Sequence, residues 1–276
     1  MSKTIIITGA SDGIGAAAAT QLQRNGHSVV VVVGRSPQKT AAVADAIGAD
    51  HFVADFTDLR SVRELAAALT KRYPRIDVLA NNAGGVFGSH ETTVDGFEKT
   101  FQVNHLAPFL LTNLLLPTLI QSSATVIQTA SIAARLYGKL DVGDLNNDRR
   151  YSPNKAYGDS KLENILFTGE LHRRYQSQGL AAAAFHPGLI ASSFATETTS
   201  FSMKMLYANP LTKRLLKSSS DGAEQLVWLA ETTPGSAWQS GNYYEKRRVA
   251  TRINPQSADI QLARDLWDAS AALVGV

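Results

Sequence analysis

The sequence predicts one doubly wound α/β domain: a mainly parallel seven-stranded sheet with helices on both faces. Three observations predict it. Short runs such as Thr4–Thr8 and Ser28–Val33 are β-branched and apolar on both faces, the pattern of buried parallel strands. Longer helical segments alternate with these runs. A Gly-rich turn, Gly9-Ala10-Ser11-Asp12-Gly13-Ile14-Gly15, joins the first strand to an Ala-rich helix. The 276 residues are enough to bury one large core, and no repeat or linker divides them.

Composition narrows the function. A net charge of +3 with scattered Lys and Arg gives no footprint for nucleic acid. The absence of Cys excludes disulfides, thiolate catalysis and thiolate metal sites, and fits a reducing cytosol. Met1-Ser2-Lys3 runs straight into a strand, so no signal peptide is expected. Apolar runs such as Val29–Val33 and Leu114–Leu116 are far too short for a bilayer span. A cytoplasmic protein is expected.

In chain order, the Gly-rich turn lets backbone N–H groups and a helix N-terminus approach a pyrophosphate closely. Gly26 closes that helix and Ser28–Val33 is the second strand. At its end, where a carboxylate would bind a 2′-hydroxyl, stands Gly34-Arg35-Ser36. A cation there suits a 2′-phosphate, so NADPH is expected over NADH, although Asp12 supplies no second cation. Asp50–Ala54 is a third strand, followed by Asp55-Phe56-Thr57-Asp58. Asp55 falls near an adenine edge, and Asp58 is placed to cap a helix to about Arg72. Ile76–Ala80 is a fourth strand, and Asn81-Asn82-Ala83-Gly84-Gly85 turns off its carboxyl end with room for close backbone approach.

Val94–Phe101 and Gln102–Leu119 read as helical, interrupted at Pro108, with Asn104 as a polar residue amid Phe101, Val103, Leu106 and Phe109. Ala124–Thr129 is a fifth strand with Ser131 after it. The polar loop to Tyr157 contains Asp141, Asp144 and Asp148 but no metal-ligand spacing, so no metal is expected. A helix over 154–176 puts Tyr157 and Lys161 at i and i+4 on one face. A nearby ammonium favours the phenolate, so the pair can act as a general acid/base. Leu180–Phe185 is a sixth strand ending in His186-Pro187-Gly188. Phe194–Lys217, within a segment of about 192–220, reads as an apolar helical lid. Ser220 starts and caps a helix to Ala230, Gly241–Tyr244 is a seventh strand, and Gln256–Ala272 is the last helix.

Together, Thr8-Gly9-x3-Gly13-x-Gly15, Asn81-Asn82-Ala83-Gly84, Asn104, Ser131, Tyr157-x3-Lys161 and Pro187-Gly188 resemble the classical short-chain dehydrogenases/reductases, whose fold is Rossmann-like. Phe101-Gln102-Val103-Asn104-His105-Leu106 and Ser160-Lys161-Leu162-Glu163-Asn164 resemble the retinol-dehydrogenase-like branch. The resemblance implies a cofactor-binding half over 1–130 and catalytic residues in 131–276. It implies that Tyr157 gives a proton to a carbonyl oxygen, Lys161 binds the nicotinamide ribose, Ser131 orients the reacting oxygen, and Asn104 holds a water. It also implies cofactor contacts at Gly9, Ser11, Asp12, Gly13, Ile14, Gly15, Arg35, Asp55, Phe56, Asn82, Ala83, Gly84, Pro187, Gly188, Ile190 and Ser192. The expected activity is reversible reduction of a ketone or aldehyde on a largely apolar small molecule, with NADPH preferred and NADH possible. A catalytically silent dinucleotide sensor and a C=C reductase are the alternatives. Pairing through the helices near Asn104 and Asn154 would give a homodimer or homotetramer; the insertion before Tyr157 could obstruct it and leave a monomer.

Overall fold

In the computed structural model, residues 3–26, 29–190 and 218–276 are described. They form an α/β domain around one sheet of order β3-β2-β1-β4-β5-β6-β7-β8. The strands are β1 (Thr4–Thr8), β2 (Val29–Gly34), β3 (Asp50–Val53), β4 (Val78–Asn81), β5 (Thr125–Thr129), β6 (Ala181–His186), β7 (Asn242–Glu245) and β8 (Arg248–Val249). Every pairing is parallel except β7–β8.

The sheet therefore has eight strands, not the expected seven. Lys246 and Arg247 both take positive φ, +51° and +60°, the geometry of a two-residue hairpin turn that folds β8 back on β7. Neither residue is Gly, Asn or Asp, so the sequence carried no turn signal there.

Helices α1 (Gly13–Arg24), α2 (Pro37–Ile47) and α7 (Ser219–Glu231) cover one face. Helices α3 (Leu59–Arg72), α4 (Lys99–Gln121), α6 (Pro153–Tyr175) and α8 (Ile260–Val274) cover the other, with the short α5 (Ala133–Tyr137) beyond β5. Asp58 caps α3 as expected, accepting from Arg60 N–H. The cap of α7 is Ser218 with Asp221 in a reciprocal capping box, rather than Ser220. The last helix starts later than expected: Pro255–Ala258 is a 3₁₀ turn, and Asp259 caps α8.

The stretch before Asn104 also differs. Only Lys99 onward is helical; Thr92 bridges antiparallel to Glu98, and Gly96 turns the chain with φ +88°. Pro108 does not interrupt α4. A π turn over Gln102–Leu106 lies immediately before it, and the helix runs on through Pro108 to Gln121. Helix α4 is long and apolar enough to cross a membrane, but it is largely buried in this domain as its core helix.

Candidate active site

A cavity of about 540 Å³ opens outside the carboxyl ends of the strands, where the order reverses between β1 and β4. Its floor comes from the β1–α1 turn and the Asn82–Gly85 turn, and Ser131, Tyr157 and Lys161 line one end. Of the expected cofactor residues, Gly9, Ser11, Asp12, Gly13, Ile14, Arg35, Asp55, Phe56, Asn82, Ala83, Gly84, Pro187, Gly188 and Ile190 line it. Gly15 does not. It sits behind the turn, where a Cβ would lie 2.4 Å from Gly9 O, so it serves helix–strand packing. Ser192 and the expected lid as far as Lys217 lie outside the described residues; the last positions of that segment, 218–220, cap and begin α7.

The two turns are stitched together by side chains. Thr8 Oγ1 accepts from the N–H groups of Asn82 and Ala83 at 3.0 Å each. Asn82 Nδ2 donates to Thr8 O at 3.0 Å and Gly9 O at 3.3 Å, and Thr129 Oγ1 donates to Asn82 Oδ1 at 3.2 Å. The ends of β1, β4 and β5 are thus locked around one cradle. Gly9 has φ +64°, and a Cβ there would lie 2.7 Å from Ala83 Cα, so the two turns meet only because it is glycine. This close-packed backbone edge at the N-terminus of α1 fits a dinucleotide pyrophosphate.

Tyr157 and Lys161 share the inner face of α6, whose start is fixed by Ser152 accepting from Lys155 N–H and by Pro153. Tyr157 packs against Val86 and Ala133 and is 7% exposed. Lys161 Nζ lies 5.6 Å from the centre of the Tyr157 ring and donates to Thr129 O at 3.0 Å. Burial pushes the Lys161 ammonium down to about 7. Ser131 Oγ accepts from Ala133 N–H at 3.2 Å, which turns the hydroxyl toward the cavity end of β5.

Asn104 does not line the cavity; it stands one layer behind it. Its Oδ1 accepts from Gly85 N–H at 2.9 Å, and its Nδ2 donates to Gly85 O at 2.9 Å and Ser160 Oγ at 3.0 Å. A Cβ on Gly84 would meet Asn104 Oδ1 at 2.8 Å and Lys161 Nζ at 3.3 Å. Gly84 and Lys161 therefore share the floor, with Asn104 directly beneath Gly84.

At the far end, Arg35, Ser36, Lys39, Asp55 and Thr57 border the cavity. Asp55 Oδ1 accepts from Thr57 N–H at 2.9 Å and Oγ1–H at 2.8 Å, and Asp12 caps α1 through Gly13 N–H at 2.7 Å. Lys39 is the residue that sequence reading missed. It is a second cation beside Arg35, 3.8 Å from Asp12 Oδ2. Its signal lay in Ser36-Pro37, a helix start that puts Lys39 in the first turn of α2, close to the end of β2. The remaining wall is largely apolar, with Val86, Phe87, Val103, Ala133, Leu136 and Leu189, and also carries Tyr137, Asn154 and His186.

A doubly wound sheet with this cleft, a Tyr–Lys pair and a Ser beside it defines a dinucleotide-dependent oxidoreductase. The chain belongs to the short-chain dehydrogenases: the model of the family described as short chain dehydrogenase matches residues 3–202. It is 44% identical over 280 residues to a Streptomyces sp. (strain C5) protein, DnrU, named as a candidate daunorubicin C-13 ketoreductase, covering 99% of this chain and 93% of that one. It is 38% identical over 285 residues to human retinol dehydrogenase 13, covering 99% and 85%. Among solved structures, an uncharacterised protein from Mycobacterium paratuberculosis superposes with TM-score 0.79 at 32% identity, over 99% of this chain and 94% of that chain. A 3-ketoacyl-(acyl-carrier-protein) reductase from Brucella melitensis shares the fold with TM-score 0.68 at 21% identity, over 88% and 96%.

Proposed function

We propose that this oxidoreductase is an NADPH-preferring reductase of a ketone or aldehyde carried on a neutral, largely apolar molecule, able to run in reverse on the alcohol. The observation that carries the reading is one cavity with Tyr157, Lys161 and Ser131 at one end and two cations, Arg35 and Lys39, at the other. When bound, NADPH would supply the hydride, and Gly9, Asn82–Gly84, Arg35 and Lys39 would hold it.

Tyr157 gives its phenolic proton to the carbonyl oxygen as negative charge develops there, and Ser131 donates a second hydrogen bond to that oxygen. Two fixed donors in a site shielded from water stabilise the charge more than solvent would. Lys161, buried among Tyr157, Thr129 O and the Gly84 floor, favours loss of the phenolic proton whenever it is protonated. Asn104 fixes the floor on which Lys161 rests. Among the described residues the wall around Tyr157 is mostly apolar, with His186 as its one titratable imidazole, and Tyr137 and Leu136 offer half-exposed surface to a bulky apolar body. Two relatives named for a ketone reduction and for retinol support that class.

Location in a reducing compartment such as the cytoplasm is part of this reading, supported by the lack of Cys. A monomer is also part of it. Helix α8 packs on α6 and α4 through Trp267 against Phe109, Phe167 and Tyr175, so the chain itself covers the helices through which pairing was expected.

The test is NADPH oxidation at 340 nm over a panel of aromatic and polycyclic ketones, apolar aldehydes and quinones, followed by the reverse reaction on the alcohols. Turnover of apolar carbonyls, with NADPH bound at least about tenfold more tightly than NADH, is expected. Equal affinities for the two cofactors would sink the cofactor assignment. Cofactor binding with no turnover on any carbonyl would turn the reading to a dinucleotide sensor.

A further inference from the structure

His105 is fully buried in the π turn of α4, next to Asn104, and is not among the residues that line the cavity. Its ring stacks on Phe101 at 5.8 Å between centroids and 21° between planes, and meets Phe167 edge-on at 6.1 Å. Its Nε2 is 2.9 Å from Ser270 Oγ on α8, a hydroxyl that is itself fully buried. Burial pushes the imidazole down to about 3, so at working pH it is a neutral donor–acceptor and carries no charge. A polar ring and a polar hydroxyl, both sealed from water in an aromatic core, cost stability unless their bond is made. Ordinary apolar packing could have filled the same space.

The neighbouring residue gives this pair its meaning. A π turn interrupts the regular i→i−4 bonding of a helix and is frequent at functional sites, so the side chains packed around it bear on where its residues sit. Asn104 fixes it on the cleft side through Gly85 and Ser160. His105 holds it against α6 and α8 through Phe167 and Ser270, and α8 is anchored there by Trp267, edge-on to Phe109, tilted against Phe167 and under the Arg174 guanidinium. The two residues are adjacent on one turn, so neither can rotate without carrying the other.

We infer that His105, pinned by Ser270 of the C-terminal helix, is a positioning residue that sets the turn on which Asn104 supports the floor of the active site. This rests on the proposed function only for its kinetic consequence; the structural coupling stands apart from it. The C-terminal helix thereby acts on the site without touching cofactor or substrate.

The test is Ser270→Ala, a small change at the far end of the chain of contacts, with hydrogen exchange read at the Gly85 amide, which Asn104 Oδ1 accepts. Exchange at Gly85 and over 102–106 should speed up about tenfold, while the first strand and α1 keep wild-type rates. On a substrate found in the carbonyl panel, kcat should fall about tenfold with Kd for NADPH within twofold. Combined with Asn104→Ala, the loss should not multiply, because both changes disable one unit. His105→Gln, whose terminal amide reaches the Nε2 position, should retain most of kcat where Ser270→Ala does not. Unchanged Gly85 exchange in folded Ser270→Ala overturns the inference whether or not any carbonyl is turned over. Losses that multiply with Asn104→Ala overturn it too. NADPH binding without turnover counts against the proposed function alone, because Gly85 exchange still decides this one.

Discussion

The two ends of the cavity are built on opposite principles. At the chemical end, Asn104, Ser160 and Lys161 are at most 2% exposed, and their polar atoms are bonded to backbone or to one another. At the adenosine end, Lys39 and Asp12 face each other at 3.8 Å with side chains 65% and 53% exposed, beside an exposed Arg35. A buried, bonded group cannot move a little: it keeps its place or takes neighbours with it. An exposed charge contributes through a screened field and can be tuned in small steps. Reaction type should therefore respond all-or-none to mutation, and cofactor choice should respond by degrees.

The sharpest break would come from the buried end. Tyr157→Phe removes one hydroxyl, leaves the packing on Val86 and Ala133, and should lower kcat by about 10²–10⁴-fold. Kd for NADPH, read by quenching of protein fluorescence, should stay within about threefold. Near-wild-type turnover in this variant would remove the acid/base role from Tyr157. The first test of the exposed end is smaller. Arg35→Ala should weaken NADPH by about tenfold and leave NADH nearly unchanged, because only NADPH carries the 2′-phosphate.

Stability should show the same divide as pH changes. His105 is held down to about 3 by burial, against about 6.5 in an unfolded chain. Above about 6.5 both states are neutral there and nothing is lost. As pH falls toward 3, only the unfolded chain takes up the proton, so stability drops by about 1.4 kcal/mol per pH unit from this residue. Glu163 has the opposite sign. Burial first, then Asp159 and Glu98, raise its carboxyl well above the usual range. The folded chain keeps a proton that the unfolded chain loses above about 4.5, so this residue costs stability as pH rises through that value. Glu163→Gln, which imitates the protonated form, should raise Tm at pH 8 and leave it unchanged at pH 4. His105→Gln should flatten the acid limb. Thermal melts from pH 4 to 8 check both, and an acid limb that stays steep in His105→Gln would free His105 of its share.

How far the sequence was legible follows the same line. Runs such as Ile5-Ile6-Ile7 and the order of short motifs reveal a parallel sheet and its ligand edge, because burial on both faces and a Gly-mediated close approach leave few residue choices. What escaped was set by geometry without residue preference. The hairpin to β8 turns at Lys246-Arg247, which have no turn chemistry of their own. The π turn at Gln102–Leu106 carries His105, whose partner Ser270 lies 165 positions later in the chain. A helical pattern read along Val94–Phe101 was overridden by Gly96 and by the pairing of Thr92 with Glu98. Asn104 was expected to hold a water near the active site; the structure puts its side chain against Gly85 and Ser160, just behind the cavity wall. Lys39 was missed because its partner Asp12 lies 27 positions earlier in the chain.

The smallest effect is the most discriminating for the exposed end. Asp12 caps α1 with one oxygen and faces Lys39 with the other, so a carboxylate sits where phosphates would enter. Lys39 neutralises that carboxylate and adds a second positive charge near Arg35. Lys39→Ala should raise Kd for NADPH about two- to fivefold, and Asp12→Asn, which keeps a good helix cap, should lower it by a similar factor. Both shifts should shrink as salt rises from about 0.05 to 0.5 M, as fits charges in water within a Debye length. The NADH titration separates the two phosphate groups. If Lys39→Ala weakens NADH as much as NADPH, Lys39 serves the diphosphate that both cofactors share, and discrimination falls to Arg35 alone. If the shift ignores salt, the Lys39–Asp12 corner is closed to solvent when the cofactor binds, and the contrast between a rigid floor and a tunable rim fails at the rim.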